Sequence, residues 1–152
     1  MKFSLALPRE ALSIPVVRRV LGDALRGLGV SEDCVTDILV ATSEACTNVV
    51  QHARSAGDYE VAGHVAEGSC RLRVTDHGRG LREAGPPHRT GGHEDGLAES
   101  GRGIRIMRAL VDDLDIDSAP DRGTVVHLRK RLTWRDEALI RRLEHRLMHS
   151  AG

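Results

Sequence analysis

DILVATSEACTNVVQHA, residues 37–53, lies within a longer run that keeps one helical period. Val35, Ile38, Leu39, Thr42, Ala45, Cys46, Val49, Val50 and Ala53 fall on one side of a helical wheel. Glu44 points away from the centre of that stripe. Asn48 and His52 follow it at successive four-residue steps, the spacing at which side chains touch on a helix surface. One face therefore grips a core, while the other carries a carboxylate, an amide and an imidazole in a row. Two readings of the row stay open at this point. It is a solvated helix face, or it holds a divalent metal through the amide oxygen and offers a base one turn earlier. Ala41 and Ala45 beside the row favour close approach by a ligand, since a purely solvated face usually carries longer residues.

The bulk properties narrow the classes. A chain of 152 residues suits one domain with a real core. Lys plus Arg and Asp plus Glu are 22 each, so the formal net charge is zero and no general attraction to nucleic acid or an anionic membrane follows. Cys34, Cys46 and Cys70 have no metal-ligand spacing, and Cys46 lies on the apolar stripe, which reads as free thiols in a reduced, cytoplasmic protein. No apolar run is long enough to span a bilayer, and no secretory leader begins at Met1. With one Phe, one Tyr and one Trp, the core must come from Leu, Val, Ile and Ala. Stacking platforms for single-stranded nucleic acid are not expected.

Outward from the central helix, Phe3, Leu5 and Leu7 alternate as a short first strand closed by Pro8. Ser13 looks like an N-cap with Pro15 in the first turn, and an amphipathic helix then runs to the glycines at 27 and 29. Ser31, with Glu32 and Asp33 behind it, caps the central helix where the dipole favours acids. After His52 the period becomes two. Tyr59, Val61 and Val65 mark one strand, Cys70, Leu72 and Val74 the next, with Glu67-Gly68-Ser69 as the hairpin connection.

That second strand runs into Asp76-His77-Gly78-Arg79-Gly80, a rigidly held carboxylate followed by backbone that can pass close to a ligand. Residues 83–100 are rich in Gly, Pro and His without periodicity, which reads as a lid or a disordered stretch. Gly101-Arg102-Gly103 then opens an apolar-periodic segment containing Ile104 and Met107. Glycines at a helix start would present free N–H groups to a phosphate, although neither the Walker nor the Rossmann spacing is met. Two strands follow, Leu114 to Ser118 and Thr124 to Leu132, and Thr133 with Asp136 reads as a capping arrangement for a last helix.

Taken in order, Glu44-x3-Asn48-x3-His52-Ala53, Asp76-x-Gly78-x-Gly80, Gly101-x-Gly103 and Gly123-Thr124 resemble the N, G1, G2 and GT boxes of the GHKL ATPase superfamily. The size and element order are similar to its small bacterial branch, the anti-sigma-factor serine kinases. The resemblance covers roughly residues 3–132. It implies an α+β fold, a two-layer α/β sandwich with a mixed, mostly antiparallel sheet and helices on one face. The ATP-binding domain would span 1–132 with its lid at 83–100, and 133–152 would be a C-terminal amphipathic extension.

The resemblance also implies roles. ATP and Mg²⁺ would be the cofactors, with Asn48 as the metal ligand and Glu44 as the general base. Asp76 would accept a hydrogen bond from the adenine amine, with Gly78, Gly80 and Thr124 beside the base. Gly101, Arg102, Gly103 and Ile104 would face the phosphates, and His52 would complete the nucleotide site at the helix end. In one place the sequence departs from the pattern: Glu99-Ser100 stands where kinases of this branch often carry a lid arginine. Three functions follow. The first is an anti-sigma factor that also phosphorylates an antagonist protein on serine or threonine, with protein partners and no direct nucleic-acid or membrane contact. The second is a nucleotide-gated binding switch without kinase activity. The third, ranked lowest, is the ATP-binding part of a histidine kinase system, since too few residues precede the central helix for a dimerisation hairpin. Homodimer formation stays open.

Overall fold

The computed structural model describes residues 1–52, 57–76, 92–119 and 123–150. In chain order these form β1 (Lys2–Pro8), α1 (Ser13–Gly27), α2 (Glu32–His52), β2 (Asp58–Ala66), β3 (Ser69–Asp76), α3 (Gly92–Leu110), β4 (Asp113–Ala119), β5 (Gly123–Arg131) and α4 (Glu137–Ser150). The strands make one sheet in the order β1-β2-β3-β5-β4, antiparallel at every pairing. Helices α1, α2 and α3 lie against the sheet as one layer, so the expected two-layer α+β sandwich is the fold, with the described sheet antiparallel throughout instead of mixed.

Alternation along the strands decides which face the helices cover. Tyr59 and Val61 of β2, Cys70, Leu72 and Val74 of β3, and Val126 and Leu128 of β5 are buried. Between them Arg71, Arg73 and His127 are exposed, as the two-residue side-chain period requires. The β2–β3 connection is a two-residue turn with Glu67 at φ 53° and Gly68 at φ 75°. Positive φ at both central positions is the hairpin geometry that matches strand twist, and it puts Ser69 into β3 rather than the turn.

On α2 the predicted stripe is the buried one: Val35, Ile38, Leu39, Thr42, Ala45, Cys46 and Val49 are all inside. Thr42 is tolerated there because its hydroxyl donates to the Ile38 carbonyl at 2.7 Å. Ser31 caps the helix as expected, accepting from the Cys34 N–H at 3.4 Å. α1 packs close to α2 at Gly22, where a Cβ would lie 3.3 Å from the Leu39 side chain.

Two expected caps have other tasks. Ser13 is the first residue of α1, not its cap. Its hydroxyl donates to the Glu10 carbonyl at 2.6 Å and also meets the Tyr59 hydroxyl at 2.6 Å. Thr133 hydrogen-bonds the Ser31 side chain, and its carbonyl accepts from the Ser31 N–H at 2.8 Å. With the Arg135 N–H on the Gly29 carbonyl and a bridge from Trp134 to Val30, the segment after β5 straps the α1–α2 turn. Beyond that strap, Leu143, Leu147 and Met148 of α4 are exposed. Among the described residues no helix is long and apolar enough to cross a membrane.

Candidate functional site

The polar row on α2 is not open to solvent along its length. Glu44 and Asn48 are half-buried, while Ala41 and Ala45 on the same side are fully buried. The cover is α3. Gly103 is buried, and a Cβ built on it would stand 3.2 Å from Glu44 Oε2, 3.4 Å from Asn48 Oδ1 and 3.6 Å from Asn48 Nδ2. A side chain at this position would press the Glu44 carboxylate and touch the Asn48 amide, so glycine gives the α3 backbone its easiest approach here. The two small alanines therefore serve a helix–helix approach on this face. Gly101 shows no such constraint, since a Cβ there would meet nothing within 4 Å among the described residues. Arg102 is exposed, and Ile104 packs on the edge of the core.

α3 begins earlier than its sequence suggests. It starts at Gly92, so Gly101, Arg102, Gly103 and Ile104 lie well inside the helix rather than at its opening. Glu99 and Ser100 lie in the same helix, and residues 83–91 of the expected lid are outside the described residues. The helix amides at 101–104 are those of a helix interior here, engaged with carbonyls one turn back instead of presented at a helix N-terminus. At the other end of α3, Lys130 donates to the Leu110 carbonyl at 2.7 Å and reaches Asp37 of α2 at 3.3 Å. One ammonium thereby fixes α3 against α2 and complements the helix dipole.

The second half of the site is at the strand ends. Asp76 closes β3 and is 4% exposed. Tyr59 of β2 and Thr124 of β5 are its neighbours across the sheet, on either side. The buried carboxylate is ion-paired with Arg9, whose side chain is as inaccessible as its own. Arg9 belongs to the short connection between β1 and α1. Burial pulls its guanidinium below the ordinary arginine value. Burial also raises the Tyr59 phenol and the Cys46 thiol to about 12 each, so both stay protonated and act as hydrogen-bonding groups, not charges.

The structure therefore brings Glu44, Asn48 and Gly103 together and sets Asp76 beside Thr124. His52 ends α2, and Gly78 and Gly80 lie outside the described residues. Sequence reasoning missed Arg9 and Lys130. Arg9 stands alone after a strand-ending proline with no periodic context, and Lys130 looks like one more charge on an alternating strand. Neither position gives a local signal of its distant partner. Among the described residues no group of three or more His, Cys, Asp and Glu gathers to hold a metal by side chains alone.

The comparisons with known proteins bear on the family and the fold. The family model of the histidine kinase-like ATPase domain matches residues 7–130. Serine-protein kinase RsbW of Bacillus cereus (strain AH820) is 28% identical over 136 residues, covering 85% of this chain and 84% of the relative. RsbW of Bacillus thuringiensis (strain Al Hakam) is 27% identical over the same length. A crystal structure of the RsbU and RsbW domains of a Mycobacterium tuberculosis protein has the same fold, with a TM-score of 0.66 at 23% identity. That alignment covers 89% of this chain and 34% of the larger one. With its site elements in that order on that sheet, the chain belongs to the histidine kinase-like ATPase domain family.

Proposed function

We propose that this protein is an ATP- and Mg²⁺-dependent protein serine/threonine kinase acting in the cytoplasm, an anti-sigma factor that phosphorylates its own antagonist. The observation that carries the reading is the meeting of Glu44, Asn48 and Gly103 across the α2–α3 contact. It unites a base, an amide oxygen suited to a hard cation and a backbone free of side-chain cover. Similarity to serine-protein kinases over most of the chain supports the reaction class.

The residues present fit the implied groups. Asp76 offers a buried acceptor to an exocyclic amine, and a mismatched donor or acceptor there would be left unsatisfied. Thr124, its neighbour across the sheet, flanks the base, and Gly78 and Gly80 keep the following backbone free of side chains. Asn48 supplies one protein oxygen to Mg²⁺, a cation that commonly takes only one or two protein ligands beside phosphate oxygens. The bound nucleotide supplies a transferable phosphoryl group whose charge the metal offsets. Gly101, Arg102, Gly103 and Ile104 face the phosphates, and His52 closes the α2 end of the site. Glu44 takes the proton from the incoming serine or threonine hydroxyl.

Glu44→Gln tests this. ATP affinity should persist while transfer of labelled γ-phosphate to the antagonist falls by on the order of 10²–10⁴. Equal transfer by the variant would remove Glu44 as the base. One observation favours a second reading, a nucleotide-gated switch without transfer. An acid, Glu99, stands where an arginine would offset developing charge. Nucleotide-dependent capture of a sigma factor with no transfer by the wild type would establish that alternative.

A further inference from the structure

Arg9 has no role in any motif of the chain, yet its guanidinium is buried against the carboxylate that closes β3. The side chains of Arg9 and Asp76 are each 6% exposed, far below what a surface ion pair shows. Burying an arginine is costly unless its partner is fixed and ionised. The loop that carries it is correspondingly constrained. The Glu10 N–H donates to the Pro8 carbonyl at 2.8 Å, and the Ser13 N–H to the Glu10 carbonyl at 2.9 Å. The Ser13 hydroxyl meets the Tyr59 hydroxyl at 2.6 Å in a buried contact, and Tyr59 is the residue directly across from Asp76 in the β2–β3 register. The tether and the ion pair therefore converge on one spot, from a loop far away in sequence.

We propose that Arg9 is a positioning residue that sets base selectivity, by holding Asp76 ionised and oriented as a pure hydrogen-bond acceptor. This rests on Asp76 as the reader of adenine, the role given to it under Proposed function. A buried carboxylate stripped of its counter-ion takes up a proton. A protonated acid can donate as well as accept, so it tolerates a carbonyl oxygen in place of an amine. Adenine presents an exocyclic amine where guanine presents an oxygen. Arg9 engages Oδ1 of Asp76, and a carboxylate has lone-pair capacity for further donors beyond one guanidinium. The guanidinium and the amine can thus share the same carboxylate without competing for one lone pair.

The experiment is titration calorimetry of the full chain with ATP and with GTP, each with Mg²⁺, for wild type, Arg9→Met, Arg9→Gln and Arg9→Lys. Wild type should prefer ATP. In Arg9→Met the ATP/GTP affinity ratio should fall by about tenfold or more, from weaker ATP and stronger GTP binding. Arg9→Gln keeps a hydrogen-bond donor without the charge. It should lose the preference as well, and it decides the matter if the methionine variant does not fold. Arg9→Lys restores a charge and should recover most of the ratio, which a merely structural role for the ion pair does not require. A glutamine variant with the wild-type ratio, or any neutral variant that binds ATP more tightly, would overturn the proposal; the second result would make Arg9 a plug over the base site. A wild type that binds both nucleotides equally would instead remove Asp76 as the base reader, and the proposed function with it.

Discussion

Gly103 and Gly101 are two residues apart in one helix, yet their surroundings predict opposite outcomes for the same substitution. In a helix interior, Gly→Ala stabilises by roughly 0.5–1 kcal/mol, through lost freedom of the unfolded chain. At Gly101 no described residue lies within 4 Å of the new methyl, so Gly101→Ala should keep that gain in full. For a domain of this size it is a rise of about 1–4 °C in melting temperature. At Gly103 the methyl would stand 3.2 Å from Glu44 Oε2 and 3.4 Å from Asn48 Oδ1. The Glu44 carboxylate must give by a few tenths of an ångström while the Asn48 amide is only brought into contact, and where the carboxylate is held in place overpacking of this kind costs about 1–3 kcal/mol. Gly103→Ala should therefore melt at or below wild type, and Gly103→Val several degrees lower still. Nucleotide binding separates them further, because only the change at Gly103 displaces the proposed metal ligand and base. Scanning fluorimetry for stability and calorimetry with ATP and Mg²⁺ for affinity measure both effects. Equal melting shifts at the two positions, with unchanged affinity in Gly103→Val, would refute the close α2–α3 approach as the core of the site.

Asp76→Asn should lower the melting temperature as well as ATP affinity, because removing one partner of a buried pair costs about 3–5 kcal/mol and leaves Arg9 buried against a neutral amide. The double variant Arg9→Met with Asp76→Asn should recover much of that stability in the same melting assay, without recovering ATP binding. The contribution of three buried acids to stability should be level from neutral pH to ~9 and fall between ~9 and ~12, measured by denaturant unfolding across alkaline pH. Burial holds the Cys46 and Cys70 thiols and the Tyr59 phenol at about 12, while in the unfolded chain they ionise from their ordinary values of 9.0 and 10.0. The unfolded state therefore sheds protons first, at up to about 1.4 kcal/mol per pH unit for each group. Amide exchange across residues 83–100 should slow when ATP and Mg²⁺ are added; protection confined to α2 would make that stretch a connector and not a lid.

The fold was legible because its decisive signals are local and periodic. The α2 stripe, the alternation of β2 and β3 and the cap at Ser31 each follow from side-chain period or backbone satisfaction, and all are present. Ser13 and Thr133 misled for one reason. A hydroxyl near a helix start need not bond the helix amides: Ser13 is engaged by the Glu10 carbonyl and Tyr59, and Thr133 by Ser31. The start of α3 was misplaced because glycines and an absent stripe hide a helix from any periodic reading, although the backbone is helical from Gly92. Arg9 was invisible for a different reason. An ion pair between the β1–α1 connection and the end of β3 depends on the sheet register, and no window of sequence contains both partners.

The two halves of the site are built on different kinds of support, which bears on how a nucleotide would be taken up. Asp76 is held by three strands, a buried ion pair and a tethered loop, so its carboxylate is fixed before any ligand arrives. Glu44 and Asn48 are likewise fixed along α2, whose other face is core. Residues 101–104, the proposed phosphate contacts, instead sit within α3, where their amides serve the helix. To offer those N–H groups to a phosphate, the chain N-terminal to them must give up helical hydrogen bonds. Phosphate contacts must outweigh that loss, whereas the base contacts carry no comparable cost. On the proposed assignment, adenine recognition would be the preorganised step and phosphate recognition the conditional one. Gly101, with no described residue within 4 Å of where a side chain would start, is the position at which a break in α3 would meet least resistance, and Gly103 is the one whose side chain would press on Glu44.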